Sequence, residues 1–380
     1  MPELVALELP GSQAFVDTVR RVWDAGDAVA PLDPRLPPPA ARALLAALAP
    51  TAIIGPDGER RSLEGGRPVE PGDALVLGTS GTTGPARGVV LTMAALEASA
   101  DATTRRLGID PARHHWLACL PLAHIGAMAV VARAVLTGTP LTVLPGFDAG
   151  QVESLGRERI ATHVALVSTA LARIDPAVFE TILLGGAAPP ANLAANVVTT
   201  YGMTETGSGV VYDGRPLDGV EVAIDPAEGT NEILVRAPML FRAYRDGTRP
   251  NRKAPDGSGG WFPTGDAGRW TPDGRLEVLG RLSDVVVTGG EKVWPPAVEA
   301  LLATHPLVAS VAVWKRPDPT WGERVVAWVV PKDRRHPPRL EALAELTRSQ
   351  LPPWAAPKEL VVVDELPRTP SGKVRRRALR

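Results

Sequence analysis

One cysteine occurs in 380 residues, Cys119. A single thiol excludes an internal disulfide framework and any cysteine-rich metal site, and it agrees with an expected cytoplasmic location. An excess of one charge is also missing: 41 Lys and Arg stand against 42 Asp and Glu. No strong field draws in nucleic acid or anionic membrane, so neither is expected as a partner. No segment repeats with a period of about 20–50 residues, which sets solenoids aside. The opening "MPELVALELPGSQ" has neither the basic start nor the long apolar core of a secretory signal. No membrane span is expected. The nearest candidate, "WLACLPLAHIGAMAVVARAVL" (116–136), carries Pro121, His124 and Arg133. An unpaired arginine is rare in lipid, and the segment reads as a buried strand followed by a helix.

What is present fits a globular chain of two or three domains with a sizeable core. Helical patterns at 13–25 and 38–48 precede short apolar runs at 51–55 and 74–78. A helix is expected over 92–108, straight after a glycine-rich loop. Strand and helix then alternate: strands at 114–122, 140–146, 162–168 and 179–186, helices at 124–138 and 149–160. Such alternation predicts parallel α/β layers. Beyond Tyr201 the pattern turns to β structure, with "TPDG" (271–274) as a hairpin signal and 245–260 as an exposed loop. After Arg281 a compact α+β pattern begins, with helices at 295–306 and 339–351 among four apolar runs.

Both standard phosphate fingerprints are missing. Neither G-x-x-x-x-G-K-[ST] nor G-x-G-x-x-G fits "LVLGTSGTTGPARGVVLT" (75–92). Its glycines fall at 78, 81, 84 and 88, with Thr79, Ser80, Thr82 and Thr83 between them and Arg87 near the end. Glycines let backbone N–H groups turn toward an anion and hydroxyls add donors; the same composition suits a flexible linker. Five more segments stand out: "LLGGAAPP" (183–190), "TTYGMTETG" (199–207), "WFPTGDAG" (261–268), "GRLSDVVVTGGEKVWPPAVE" (280–299) and "LPRTPSGKVRRRAL" (366–379). Singly, some have plain readings: a turn beside a core tyrosine, a common TGD turn, a solvated basic tail.

Together and in this order, the segments resemble the motifs of the adenylate-forming superfamily, which holds acyl- and aryl-CoA synthetases, peptide-synthetase adenylation domains and beetle luciferases. The loop is similar to "[TS]SGTTG-x-[PA]-[KR]-G", with Arg87 where lysine is usual. The resemblance implies an α/β fold: a large domain, 1–281, of layered α/β subdomains plus β structure, and a small mobile α+β domain, 282–380. It implies that Thr79, Ser80, Gly81, Thr82, Thr83, Gly84 and Arg87 surround the ATP phosphates. Gly185, Gly186 and Ala187 would pack against adenine, with Tyr201 stacked on it and Gly202 beside it. Thr204 and Glu205 would approach the α-phosphate, Glu205 holding Mg²⁺, for which a carboxylate is a suitably hard ligand. Asp266 and Arg281 would bind ribose. Ser283 would mark the hinge, Gly289 and Gly290 the loop presented for the thioester step, and Lys373 the catalytic lysine.

The implied chemistry joins a carboxylic acid to CoA through an acyl-adenylate, with ATP and CoA as co-substrates. His124 falls at the position of a pocket-gating residue, although a histidine at a helix start also suits a structural role. Gly207, Ser208 and Gly209 would form a small wall with room for a ring. The stretch "YGMTETGSGVVYDGRPLDGVEVAI" (201–224) closely resembles the compact actinobacterial o-succinylbenzoyl-CoA synthetase family of menaquinone biosynthesis. That family's acid is an aromatic dicarboxylate, and no motif here identifies a partner for its second carboxylate. Other aryl- or acyl-CoA synthetases share the ATP motifs. An adenylation module would load a carrier protein, but no carrier serine motif precedes Arg380. A binding-only ATP protein would have no use for Lys373. The resemblance leaves room for a homodimer.

Overall fold

A computed structural model describes residues 1–79, 87–190, 192–368 and 374–379, with Glu228 described by its backbone alone. The chain divides into two compact units: 1–222 with 235–253 and 258–262, and 223–234 with 254–257 and 263–380.

The first unit begins with the strands β1 (Leu4–Leu7), β2 (Ala28–Pro31), β3 (Ala52–Ile54), β4 (Arg60–Ser62), β5 (Asp73–Thr79) and β6 (Arg87–Thr92). All four residues of β1 and of β2 are buried, as befits parallel strands covered on both faces. Between them runs α1 (Gln13–Asp24), capped where the Ser12 hydroxyl accepts from the Phe15 N–H at 3.3 Å. It buries Phe15, Val16, Val19, Val22 and Trp23, one apolar stripe at helical spacing. A second helix, α2 (Pro38–Leu48), follows β2. The sheet order is Ala243–Tyr244, β6, β5, β2, β1, β3, β4.

The expectation of a loop running directly into a helix is corrected at 87–92. These residues form β6, antiparallel to β5, with Gly78 opposite Gly88 and Thr79 opposite Arg87. Val89, Val90 and Leu91 are all buried there. The helix α3 (Met93–Leu107) starts only afterwards, where the Thr92 hydroxyl accepts from the Ala95 N–H at 3.1 Å.

The alternating pattern then appears as expected in β7 (Trp116–Ala118), α4 (Ile125–Thr137), β8 (Leu141–Val143), α5 (Ala149–Arg157), β9 (His163–Leu166) and β10 (Thr181–Leu184), and the structure adds the one-turn α6 (Ser168–Leu171) before β10 and β11 (Val197–Met203) after it. A hairpin adds β12 (Ser208–Tyr212) and β13 (Arg215–Pro216). The order is β13-β12-β11-β10-β9-β7-β8; β8 through β11 are parallel and the last two strands antiparallel.

His163 on β9 is only 2% exposed, its ring 5.2 Å from that of Trp116 and 4.7 Å from that of His114. Burial first, then the charges of His114 and Arg133, push its pKa from 6.5 down to about 4. It therefore stays neutral in the fold while the unfolded chain protonates. Stability is fully present above the unfolded value and falls as pH drops from 6.5 to about 4, by roughly 2–3 kcal/mol in total. Denaturant midpoints of wild type and His163→Gln, compared at about pH 7.5 and 5, are expected to show a shallower pH dependence in the variant. Equal slopes would refute this role.

The second unit holds the larger part of β14 (Glu221–Asp225), β15 (Glu232–Arg236) and β17 (Phe262–Trp270) and all of β18 (Leu276–Arg281), a four-stranded sheet in that order, Ala243–Tyr244 counting as β16. "TPDG" makes the expected turn between β17 and β18, with Gly274 at φ +74° and the Thr271 N–H donating to the Arg275 carbonyl at 2.8 Å. Next come β19 (Val286–Thr288), β20 (Glu291–Val293), α7 (Pro295–Leu302), β21 (Val308–Asp318), β22 (Gly322–Pro331), α8 (Leu340–Gln350) and β23 (Glu359–Val362). Here β22 alternates cleanly. Val325, Ala327 and Val329 join Val298, Leu302 and Leu343 in one core, while Val326 and Trp328 face Leu366 and Leu379, the period-2 signature of a strand with both faces covered. Among the described residues, no helix is long and apolar enough to cross a membrane.

Candidate active site

Parallel strands deliver the site of the first unit. β7, β9, β10 and β11 run in one direction, so their C-terminal ends open together, the edge where ligands settle on α/β sheets. From those ends lead Cys119–His124, Val167–Ser168, Gly185–Ala187 and Thr204–Glu205. Gly186 and Ala187 are exposed, Gly186 at φ +86°. Tyr201 sits half-buried in β11 opposite Val211. His124 is the exposed residue preceding α4.

The small residues here have packing reasons. A Cβ on Gly202 would lie 2.0 Å from the Ser208 carbonyl oxygen, and one on Gly209 would lie 2.8 Å from the Tyr212 ring. Only glycines let β11 and β12 approach so closely. Ser208 is buried with its Oγ 2.9 Å from Ser99 Oγ. Gly207 closes the turn at φ +69°. Gly185 lies against Thr200, whose hydroxyl would be 2.6 Å from an added Cβ. Two glycines of the 75–92 segment also serve packing: a Cβ on Gly78 would meet Leu44 at 2.3 Å and one on Gly88 would meet Leu48 at 2.8 Å, both on α2.

Thr79 and Arg87 face each other at the end of the β5–β6 hairpin, the Thr79 hydroxyl donating to the Arg87 carbonyl at 3.3 Å. Ser80, Gly81, Thr82, Thr83 and Gly84 lie outside the described residues. Arg87 Nη2 donates to Asp246 Oδ2 at 3.0 Å and to the Thr248 hydroxyl, and its Cζ lies 3.7 Å from the centre of the Tyr244 ring. The Tyr244 hydroxyl in turn donates to Glu205 Oε1 at 3.0 Å. Burial first, then the Glu205 charge and this hydrogen bond, raise the phenol pKa, so it remains a donor. Hydrogen bonds from Thr248, with help from Arg87, hold exposed Asp246 down to about 2. Glu205 Oε2 has no hydrogen-bond partner among the described residues. Half-buried and acceptor-only, that oxygen fits a hard divalent cation. Tyr244, Asp246 and Thr248 were not foreseen as parts of this group; "FRAYRDGT" has no local signal linking it to a loop far upstream.

A second cluster belongs to the other unit. Asp266 and Arg281 are opposite residues of the β17–β18 ladder, joined from Nε to Oδ1 at 2.8 Å. Asp266 is 6% exposed. Just before it in β17, the Gly265 N–H donates to the Glu232 carboxylate at 2.9 Å. Ser283 lies in the 3₁₀ turn Leu282–Asp284 and donates to Asp284 at 3.0 Å. Gly289 and Gly290, at φ +61° and +86°, close the β19–β20 hairpin. Lys373 lies outside the described residues. On either side of it, Arg368 and Val374 form an antiparallel bridge and the Arg375 N–H donates to the Pro367 carbonyl at 2.7 Å.

Arg133 points into the core. It is 2% exposed, with Nη2 donating to the Thr103 hydroxyl at 3.3 Å and Cζ 5.0 Å from the Trp116 ring. Trp116 begins β7, whereas His124 follows its end; α4 carries the arginine back by about 13 Å at 1.5 Å per residue.

Residues 58–245 match the AMP-binding enzyme family and residues 297–373 the AMP-binding enzyme C-terminal domain. A probable 2-succinylbenzoate–CoA ligase of Mycobacterium tuberculosis is 40% identical over 354 residues, 86% of this chain and 90% of that protein. The o-succinylbenzoate CoA synthetase of Bacillus subtilis, solved with its acyl-adenylate intermediate, matches with a TM-score of 0.84 at 25% identity, over 100% of this chain and 88% of that one. The same Bacillus enzyme with ATP and magnesium ion matches with a TM-score of 0.83 at 26% identity, over 99% and 89%. The chain belongs to the AMP-binding enzyme family.

Proposed function

We propose that the chain is an AMP-forming acid–thiol ligase whose acid is 2-succinylbenzoate, acting in menaquinone biosynthesis. The observation that carries this reading is the 40% identity along 90% of a probable 2-succinylbenzoate–CoA ligase. The site supplies the matching chemistry. In the first half-reaction a carboxylate oxygen attacks the α-phosphorus of ATP and the bond to pyrophosphate breaks. In the second, the CoA thiol attacks the acyl carbon, AMP leaves and the thiol proton passes to solvent.

Each step places a demand on this chain. The residues between Thr79 and Arg87 hold the leaving phosphates. Glu205, through its unpartnered oxygen, would hold Mg²⁺, which offsets charge on the phosphate oxygens. Asp266 accepts from the ribose hydroxyls beside Arg281. Lys373 sets an ammonium between the two reacting anions. The Gly289–Gly290 hairpin serves the thioester step, residues 282–380 moving as a domain about Ser283. His124 and Ser208, with Gly207 and Gly209 beside it, border the acyl group. ATP and CoA are cytoplasmic co-substrates, and the reading places the enzyme there.

The test is CoA-dependent AMP formation with 2-succinylbenzoate, benzoate and a medium-chain fatty acid, each with ATP and Mg²⁺. Preference for succinylbenzoate is expected. Preference for another acid would remove that substrate and keep the ligase class. Pyrophosphate release without CoA consumption would point to a carrier-loading enzyme.

A further inference from the structure

Arg87 stands where the resembling motif usually has lysine, and the first unit contains a receptor shaped for an arginine. The planar guanidinium lies over the Tyr244 ring at 3.7 Å while Nη2 reaches Asp246 at 3.0 Å and the Thr248 hydroxyl. A planar guanidinium can lie over the ring, donate twice from Nη2 and still present Nε and Nη1 elsewhere, whereas an ammonium has one nitrogen for all of these contacts. Arg87 Nε and Nη1 have no hydrogen-bond partner among the described residues. They remain free to meet phosphate oxygens while Nη2 stays docked.

The receptor is rigid. Tyr244 pairs with Val89 on β6. Its N–H donates to the Thr248 carbonyl and its carbonyl accepts from the Gly247 N–H, both at 2.8 Å. The Asp246 side chain accepts from the Thr248 N–H at 2.9 Å. The Phe241 ring packs edge-on against Tyr244, 4.9 Å between centres. The same tyrosine touches the other half of the nucleotide site, because its hydroxyl donates to Glu205 Oε1. That bond selects one rotamer of the carboxylate and leaves Oε2 for a cation.

We infer that Tyr244 is a positioning residue for the adenylation step: its ring is the shelf for Arg87 and its hydroxyl fixes Glu205, so one side chain sets phosphate and metal contacts together. The inference rests on Glu205 being the Mg²⁺ ligand proposed above.

The two roles separate by substitution. Tyr244→Phe keeps the shelf and removes the hydroxyl; Tyr244→Leu removes both. The full-length protein is titrated calorimetrically with AMP and with α,β-methylene-ATP, the latter with and without Mg²⁺. In Tyr244→Phe, AMP binding is expected to stay at the wild-type level and the tightening of the triphosphate analogue by Mg²⁺ to shrink about tenfold, the scale of one hydrogen bond to a charged group. Tyr244→Leu is expected to lose, in addition, triphosphate affinity measured without Mg²⁺. Arg87→Lys, which leaves Tyr244 and its fold intact, is expected to weaken triphosphate binding without altering the Mg²⁺ response. A Tyr244→Phe protein with the full wild-type Mg²⁺ response would overturn the inference. A wild-type protein with no Mg²⁺ response would overturn the metal-ligand reading beneath it, a different and separately visible result.

Discussion

Lys373→Ala is expected to lower acyl-adenylate formation by about 10²–10³, while CoA transfer to a supplied acyl-adenylate stays near the wild-type rate. The reasoning is electrostatic. Adenylation drives a carboxylate against an α-phosphate, and two like charges at about 4 Å repel by roughly 4 kcal/mol where the effective dielectric is near 20. An ammonium placed between them removes that barrier. In the second half-reaction the thiol meets a neutral acyl carbon, and the departing AMP has no such repulsion to overcome. Lys373→Arg is expected to recover part of the rate, since it keeps the charge in a different shape. Pyrophosphate exchange measures the first step, and single-turnover thioester formation from synthetic acyl-adenylate measures the second. Loss of both to the same degree would sink the assignment. The chain on both sides of the substitution is anchored by the Arg368–Val374 bridge, so a folding defect is not expected to mimic the effect.

The α/β alternation between residues 114 and 186 was legible because its strands are short apolar runs, α5 has a polar and an apolar face, and α4, buried from Ala127 to Ala134, is too long an apolar run for a strand. The Asp266–Arg281 pair was readable only as two separate motifs; that they are direct cross-strand partners is a consequence of the "TPDG" hairpin register. β6 was missed for a physical reason. "RGVVLT" is the antiparallel partner of β5, and a glycine-rich sequence with helix-forming sequence behind it reads as strand–loop–helix. Its three buried aliphatics were the available signal. The Tyr244 receptor was not legible at all. Tyr244 meets Arg87, more than a hundred residues upstream, because its strand pairs with β6, and it reaches Glu205 through its hydroxyl; single-sequence periodicity carries no information about such contacts. Conversely, Gly202 and Gly209 drew attention as functional small residues, and their contacts show an independent packing requirement. A motif position can answer to backbone crowding and to a ligand at once.

Asp266→Ala is expected to weaken AMP binding by at least about 10²-fold, the second large effect. A carboxylate accepting from two ribose hydroxyls makes two hydrogen bonds to a charged group, each worth roughly 1.5–3 kcal/mol. The setting of Asp266 suits that role, since it is 6% exposed and the Arg281 guanidinium at 2.8 Å holds its carboxylate in one orientation. The partner arginine is 52% exposed, so losing the pair leaves a cation that water can solvate, and only a small stability penalty follows. Asp266→Asn, which keeps the shape and loses the charge, is expected to fall between wild type and alanine. The diagnostic ligand is 2′,3′-dideoxy-AMP. Wild type should prefer AMP over it strongly, and Asp266→Ala should lose most of that preference, because the hydroxyls then have no acceptor; the cycle of two ligands and two proteins isolates the contact from any general loosening of the site. If the alanine variant bound AMP more weakly yet kept the full preference for the ribose hydroxyls, Asp266 would be a structural member of β17 that does not touch the sugar.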